Sequence, residues 1–206
     1  MTAPAANTNT SSGRPCVGIF AGASTPNDPA IIEAATQLGT LLGKAGYNIA
    51  YGAGTQGVMG AVAKAAQAAG AEVTAVVLKK YDYEEQLPGA RLVFVETEQE
   101  RFKELTTRNS PVACFAMPGG AGTLREVMQG LELAVYEGGP KVVLVQVGTY
   151  MDGLKASFNA SVDAGLIKSQ HADKLQLWKV ADGLAAVLPA TAPAAPATAS
   201  KFAKKP

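Results

Sequence analysis

Residues 112–126 read VACFAMPGGAGTLRE. The first six, VACFAM (112–117), form an unbroken apolar run, the pattern of a parallel strand buried on both faces. Gly119, Gly120 and Gly122 follow, and the stretch LREVMQGLELAVYEGG (124–139) then has helical character. A buried strand, a glycine-rich turn and a helix form the repeating unit of a parallel sheet covered by helices. The turn also leaves unpaired N–H groups at a helix N-terminus, where the helix dipole favours an anion. Glycine lets an oxygen approach the backbone closely, and Thr123 adds a hydroxyl donor beside it. Glu126 lies in the first helical turn, close to that anion site. A carboxylate there repels a phosphate, so its placement makes sense if it faces a centre that becomes positive, or a water that must lose a proton.

Working outward, the same alternation recurs. CVGIFAG (16–22), YNIAYG (47–52), EVTAVVL (72–78), RLVFVET (91–97) and KVVLVQV (141–147) read as further strands. Between them lie helical patterns at 31–46, 58–70, 98–109 and 151–167, the first entered through Asp28 and Pro29, a capping oxygen followed by a preset φ. The expected fold is α/β: a doubly wound, Rossmann-like parallel sheet with helices on both faces, in a single domain over residues 14–188. Residues 1–13 and the Ala/Pro-rich segment 189–206 contain too few large apolar groups to fold and are expected to be disordered.

In such sheets ligands sit beyond the carboxyl ends of the strands. Two more loops there deserve comparison with the first. GASTPNDP (22–29) offers Gly22 and Ser24, and YGAGTQGVMG (51–60) offers Gly52, Gly54 and Gly57 ahead of a helix. Three small-residue loops after strands point to a nucleotide or another phosphate ester. No GxxxxGK[ST] cradle is present, and the second loop is not a GxGxxG fingerprint, because its third glycine falls at the wrong offset. No acidic residue ends the strand EVTAVVL to bind a ribose hydroxyl, which argues against NAD chemistry.

Composition narrows the classes further. The 206 residues carry 18 basic and 17 acidic side chains, a net charge of +1, with no basic stripe for a nucleic acid. No apolar stretch of about 20 residues is present to span a membrane, and the N-terminus lacks a secretory pattern. Cys16 and Cys114 fall at or in strands without metal-ligand spacing, as reduced core thiols of a cytoplasmic protein would. His171, in the polar stretch SQHADK (169–174), reads as an exposed loop residue, and Trp178 as a packing residue.

Cleavage of a nucleotide's N-glycosidic bond would use both proposed features. The phosphate would rest on Gly119, Gly120, Gly122 and Thr123. Glu126 would stabilise oxocarbenium character at the anomeric carbon and orient water. A cation from the preceding helix should assist, and Arg101, Lys103 and Arg108 are the candidates; Arg101 and Arg108 are seven apart and share a face. A non-catalytic nucleotide or molybdenum-cofactor carrier or sensor of the same fold is the alternative.

PGGAGTLRE resembles the PGGxGTxxE signature of the LOG ("lonely guy") family, cytokinin riboside 5′-monophosphate phosphoribohydrolases often labelled lysine decarboxylases. VGIFAGAS (17–24) is similar to that family's first strand and GSS-type loop, YGAGTQGVMG to its YGGGxxGLMG loop, and the 147–167 segment to its GYYDxLL stretch. The resemblance implies a homodimer, or an assembly of dimers, acting on AMP or an N6-substituted AMP, without metal or organic cofactor. It implies Glu126 as one catalytic residue and an arginine of the preceding helix as the other. Counting back fifteen residues from Pro118, as in the family's pattern, lands on Lys103, whereas the look-alike ERFK (100–103) offers Arg101. Arg101 is favoured, with Arg108 the alternative. Ala53 and Ala23 stand where the family's loops have Gly and Ser, and residues 133–137 depart from its pattern, which leaves the base undetermined.

Overall fold

In a computed structural model, which describes residues 13–82 and 85–189, the chain forms one seven-stranded sheet in the order β4-β3-β2-β1-β5-β6-β7. The strands are β1 (Cys16–Phe20), β2 (Asn48–Tyr51), β3 (Val73–Leu78), β4 (Arg91–Val95), β5 (Pro111–Ala116), β6 (Lys141–Val145) and β7 (Leu175–Trp178). Every neighbouring pair is parallel. The two end segments read as disordered lie outside the described residues, apart from Gly13 and Pro189.

Parallel strands buried on both faces explain the continuous apolar runs; β3, VTAVVL, is buried at all six positions. One face is covered by α1 (Pro29–Lys44) and α2 (Gly57–Ala68), with Val187 and Leu188 closing the same layer. The other is covered by α3 (Glu98–Lys103), α4 (Ala121–Tyr136) and α5 (Asp152–Asp163), through Leu105, Val127, Leu131 and Phe158. The doubly wound Rossmann-like expectation holds. The strand order reverses at β1, which lies between β2 and β5, so the crevice beyond the carboxyl ends of β1 and β5 is the topological switch point.

Some details differ from the sequence reading. The 98–109 helix is regular only through Lys103; Glu104–Arg108 form a π-turn. Its backbone presses onto the sheet, where a Cβ on Gly18 would lie 2.6 Å from the Leu105 carbonyl oxygen. β7 was not anticipated, because LQLW is short and follows a polar stretch. It forms by extending β6, and Trp178 fills the core against Phe115 at 5.6 Å between ring centroids. His171 is half-buried in a 3-10 turn (Ser169–Lys174) rather than exposed in a loop. Cys16 and Cys114 are free, and burial pushes both thiols up, Cys16 to about 12. Among the described residues no helix is long and apolar enough to cross a membrane.

Helices α1 and α2 meet through small residues. A Cβ on Gly39 would lie 2.3 Å from the Val62 carbonyl oxygen, so the close approach of the two backbones requires glycine there. Gly39→Val should therefore cost at least about 3 kcal/mol, since backbone rather than a flexible side chain must yield. Gly153, in the first turn of α5, has nothing within 4 Å of a Cβ. Gly153→Ala should gain about 0.5–1 kcal/mol from reduced backbone entropy. Urea unfolding of the two variants checks both expectations.

Candidate active site

The loops after β1, β2 and β5 meet at the switch point, and α3 reaches the loop after β2 through Arg101. α3 begins with a full capping box: the Glu100 N–H donates to Thr97 Oγ1 (3.1 Å), and Glu100 Oε2 accepts from the Thr97 N–H (3.1 Å). Phe102 stacks on Phe20 of β1, with ring centroids 6.2 Å apart. These contacts aim the preceding residue, Arg101, at the end of β2.

Arg101 Nη2 donates to the Gly52 carbonyl at 2.7 Å, and its Nη1 lies 3.6 Å from Glu98 Oε2. The side chain is only 13% exposed. Its Nε–H is buried with no protein acceptor. The guanidinium occupies the space where Gly52 would carry a side chain, since a Cβ there would lie 1.8 Å from Nη2. The missing side chain at Gly52 thus makes room for Arg101. The next residue, Ala53, holds a left-handed φ of 66°, which costs about 1–2 kcal/mol for a residue with a Cβ. Gly54 continues with φ 85° and its carbonyl accepts from the Tyr51 hydroxyl at 3.1 Å.

The other cationic candidates point elsewhere. Arg108 pairs with Glu104 at 2.6 Å and is 64% exposed; Lys103 is exposed. The π-turn between Arg101 and β5 carries an extra residue relative to an α-turn, and such turns recur at functional sites.

Across the crevice, α4 starts at Ala121 with Gly120 as its N-cap, and its first internal bond runs from Leu124 N–H to the Gly120 carbonyl at 3.1 Å. The turn before that bond leaves N–H groups for an anion. The three motif glycines separate here. A Cβ on Gly120 or Gly122 would meet nothing within 4 Å, so both border open space. Gly119 instead packs on Thr123, whose Oγ1 would lie 2.3 Å from its Cβ. Thr123 is buried. A Cβ on Gly57 would likewise meet loop backbone, 2.2 Å from the Ala23 carbonyl oxygen, and Met59 N–H donates to the Gly22 carbonyl at 3.0 Å. These contacts lock the first two loops together. Ser24 is exposed in the first of them.

Glu126 is half-buried in the second turn of α4 rather than the first, because the helix already begins at Ala121. Burial pushes its carboxyl up to about 7; the Arg101 and Arg125 charges pull it down, and Glu98 pushes it further up. Near neutrality it exchanges a proton readily, as a general acid or base must. Glu98 was not anticipated. It receives Arg101, Arg125 (3.2 Å) and Lys80 (3.4 Å), and so joins α3, α4 and the turn after β3. Its only trace in sequence is its place just after the Thr97 cap. Among the described residues no cluster of three His, Cys, Asp or Glu side chains could hold a metal ion.

Residues 59–190 match the family model described as "Possible lysine decarboxylase", the LOG family. The chain belongs to this family. Among its relatives, a cytokinin riboside 5′-monophosphate phosphoribohydrolase of Mycobacterium tuberculosis is 29% identical, over 84% of this chain and 93% of its own. One from Arabidopsis thaliana is 30% identical, over 74% of this chain and 67% of its own. Among solved structures, the molybdenum cofactor carrier protein of Chlamydomonas reinhardtii superposes with a TM-score of 0.62 at 20% identity, over 84% of this chain and 96% of the carrier. That likeness is one of fold. The matched span includes PGGAGTLRE, with Glu126, and Arg101.

Gly52→Ala should displace the guanidinium without disturbing the sheet. For the activity proposed below, followed as base release from AMP, this variant is expected to lose as much as Arg101→Ala, on the order of 10²-fold or more. Wild-type turnover in Gly52→Ala would show that the Arg101 placement is not used.

Proposed function

We propose that the chain is a phosphoribohydrolase that cleaves the N-glycosidic bond of a nucleoside 5′-monophosphate, AMP or a cytokinin-type N6-substituted AMP. The products are the free base and ribose 5-phosphate. The observation that carries the proposal is Glu126: a half-buried carboxyl with a pKa near 7, beside the open N-terminus of α4. A site built only to hold a phosphate gains nothing from that group.

In this proposal the phosphate rests on the N–H groups at Gly120 and Gly122, within reach of the helix dipole. Arg101, its Nε–H unpaired within the protein, supplies the neighbouring positive charge. As the C1′–N bond breaks, its electron pair leaves with the base and positive charge grows at C1′. Glu126 in its carboxylate form lies against that charge and takes a proton from the attacking water. The water oxygen becomes the new hydroxyl on C1′, the released base nitrogen takes up a proton from solvent, and Glu126 returns to solvent the proton it took from the water. The balance requires no cofactor.

Purified protein incubated with AMP and with N6-isopentenyl-AMP should release free base, followed by chromatography. Glu126→Gln should lose on the order of 10²–10⁴ of the rate while still binding AMP. Because Glu126 acts deprotonated and its pKa is raised to about 7, kcat/KM should climb as pH rises through that value and level off above it. AMP binding without cleavage by the wild type would instead favour a carrier or sensor.

The same proposal includes assembly as a homodimer or larger. The outer face of α4 carries Leu124, Met128 and Tyr136, the last 74% exposed. Sedimentation equilibrium should return a dimer or larger mass, and Met128→Glu should shift it toward the monomer. A monomeric wild type would remove this part of the proposal.

A further inference from the structure

The glycine loop after β5 has a neighbour that the chemistry above does not use. The turn between β6 and α5 is held from inside by Gln146, which is buried. Its Oε1 accepts from the Met151 N–H at 3.1 Å, and its Nε2 donates to Asp152 Oδ1 at 2.5 Å. Met151 itself is buried in the second core layer. The turn closes further through Tyr150 N–H to the Val147 carbonyl (3.2 Å) and Asp152 N–H to the Thr149 carbonyl (3.2 Å). A turn pinned at both ends thus holds out one large side chain, Tyr150, about half exposed. Its hydroxyl donates to the carbonyl of Gly119.

That carbonyl belongs to the Gly119–Gly120 peptide. In a trans peptide the C=O and the following N–H point in opposite directions, and no cis bond occurs among the described residues. Tyr150 comes from the loop after β6, and β6 lies on the side of β5 away from β1. A donor that captures the Gly119 carbonyl from the β6 side therefore turns the Gly120 N–H toward the β1 side, into the switch-point crevice. Without such an anchor two successive glycines leave this peptide free to rotate, since neither has a Cβ to restrict φ and ψ. Thr123 packs on Gly119 but does not hold its carbonyl in this way.

We propose that Tyr150 is a positioning residue for the nucleotide's phosphate: its hydroxyl fixes the Gly119–Gly120 peptide so that the Gly120 N–H is presented to the anion before it arrives. The proposal rests on the phosphate site described above. It assigns Tyr150 no contact with the reacting atoms, and Gln146 is the brace that keeps the phenol in place.

The test is calorimetric titration of AMP into the wild type, Tyr150→Phe and Tyr150→Leu. Loss of one neutral hydrogen bond's worth of preorganisation lowers AMP affinity about three- to tenfold. Because the hydroxyl carries the effect, Phe and Leu should lose affinity alike, and in turnover the loss should appear in KM far more than in kcat. The melting temperature of Tyr150→Phe should stay within about 1–2 °C of the wild type, since an exposed hydroxyl supports little of the fold. Wild-type affinity in Tyr150→Phe would overturn the positioning role, as would loss confined to Tyr150→Leu, which would assign the effect to the ring. A wild type that binds AMP without cleaving it leaves this comparison intact and counts only against the hydrolase. A wild type that does not bind AMP overturns both.

Discussion

The candidate site depends on one close approach: the Arg101 guanidinium lies against the Cα of Gly52 and donates to its carbonyl at 2.7 Å. Any side chain at Gly52 would occupy the same space. The approach is possible because α3 and the π-turn after it are fixed at three places: the Thr97–Glu100 capping box, the Phe102–Phe20 stack, and the Leu105 carbonyl over Gly18. Each is a local feature with its own cause. Together they bring a charged helix residue to the end of β2, where the loop backbone gives it one carbonyl and leaves its Nε–H without a protein partner. A buried guanidinium with a free donor is costly unless an anion completes it, which is the physical reason to expect one in the crevice.

The opposite wall is built on different principles. α4 begins abruptly after two glycines, so its N-terminal N–H groups face open space, and Glu126 follows in the next turn. Burial raises its carboxyl, while two guanidinium groups hold it from rising further. The crevice therefore combines a glycine-bordered helix N-terminus, a fixed cation and a carboxyl raised toward neutrality. The chain's place in the LOG family and this arrangement of charge support the same chemistry independently, one from relatedness and the other from burial and Coulombic balance.

Much of this was legible in the sequence because the relevant features are local. Continuous apolar runs announced a parallel sheet, and the glycines placed the loops. PGGAGTLRE carried both the helix start and Glu126. Arg101 is favoured in the sequence only through the ERFK look-alike, because the π-turn between Arg101 and β5 adds a residue that counting back from Pro118 misses. The separate roles of the glycines were not legible: Gly120 and Gly122 border open space, whereas Gly52, Gly57 and Gly119 each accommodate a protein group. The roles of Glu98 and Tyr150 are silent in the sequence, because Lys80 and Arg125 on the one hand and Gly119 on the other lie far along the chain from them. Tyr150, for instance, meets Gly119 across 31 residues, and β7 is a strand chiefly because β6 offers it an edge.

Burial raises the Glu126 carboxyl to about 7, and the Arg101 charge holds it from rising further. The most direct measurement is a 13C NMR titration of the Glu126 side-chain carboxyl, assigned by comparison with Glu126→Gln, in the wild type and in Arg101→Leu. The account predicts a wild-type midpoint close to 7, well above the ordinary 4.5, and a higher midpoint once the guanidinium is removed. A midpoint near 4.5 that ignores Arg101 would contradict it.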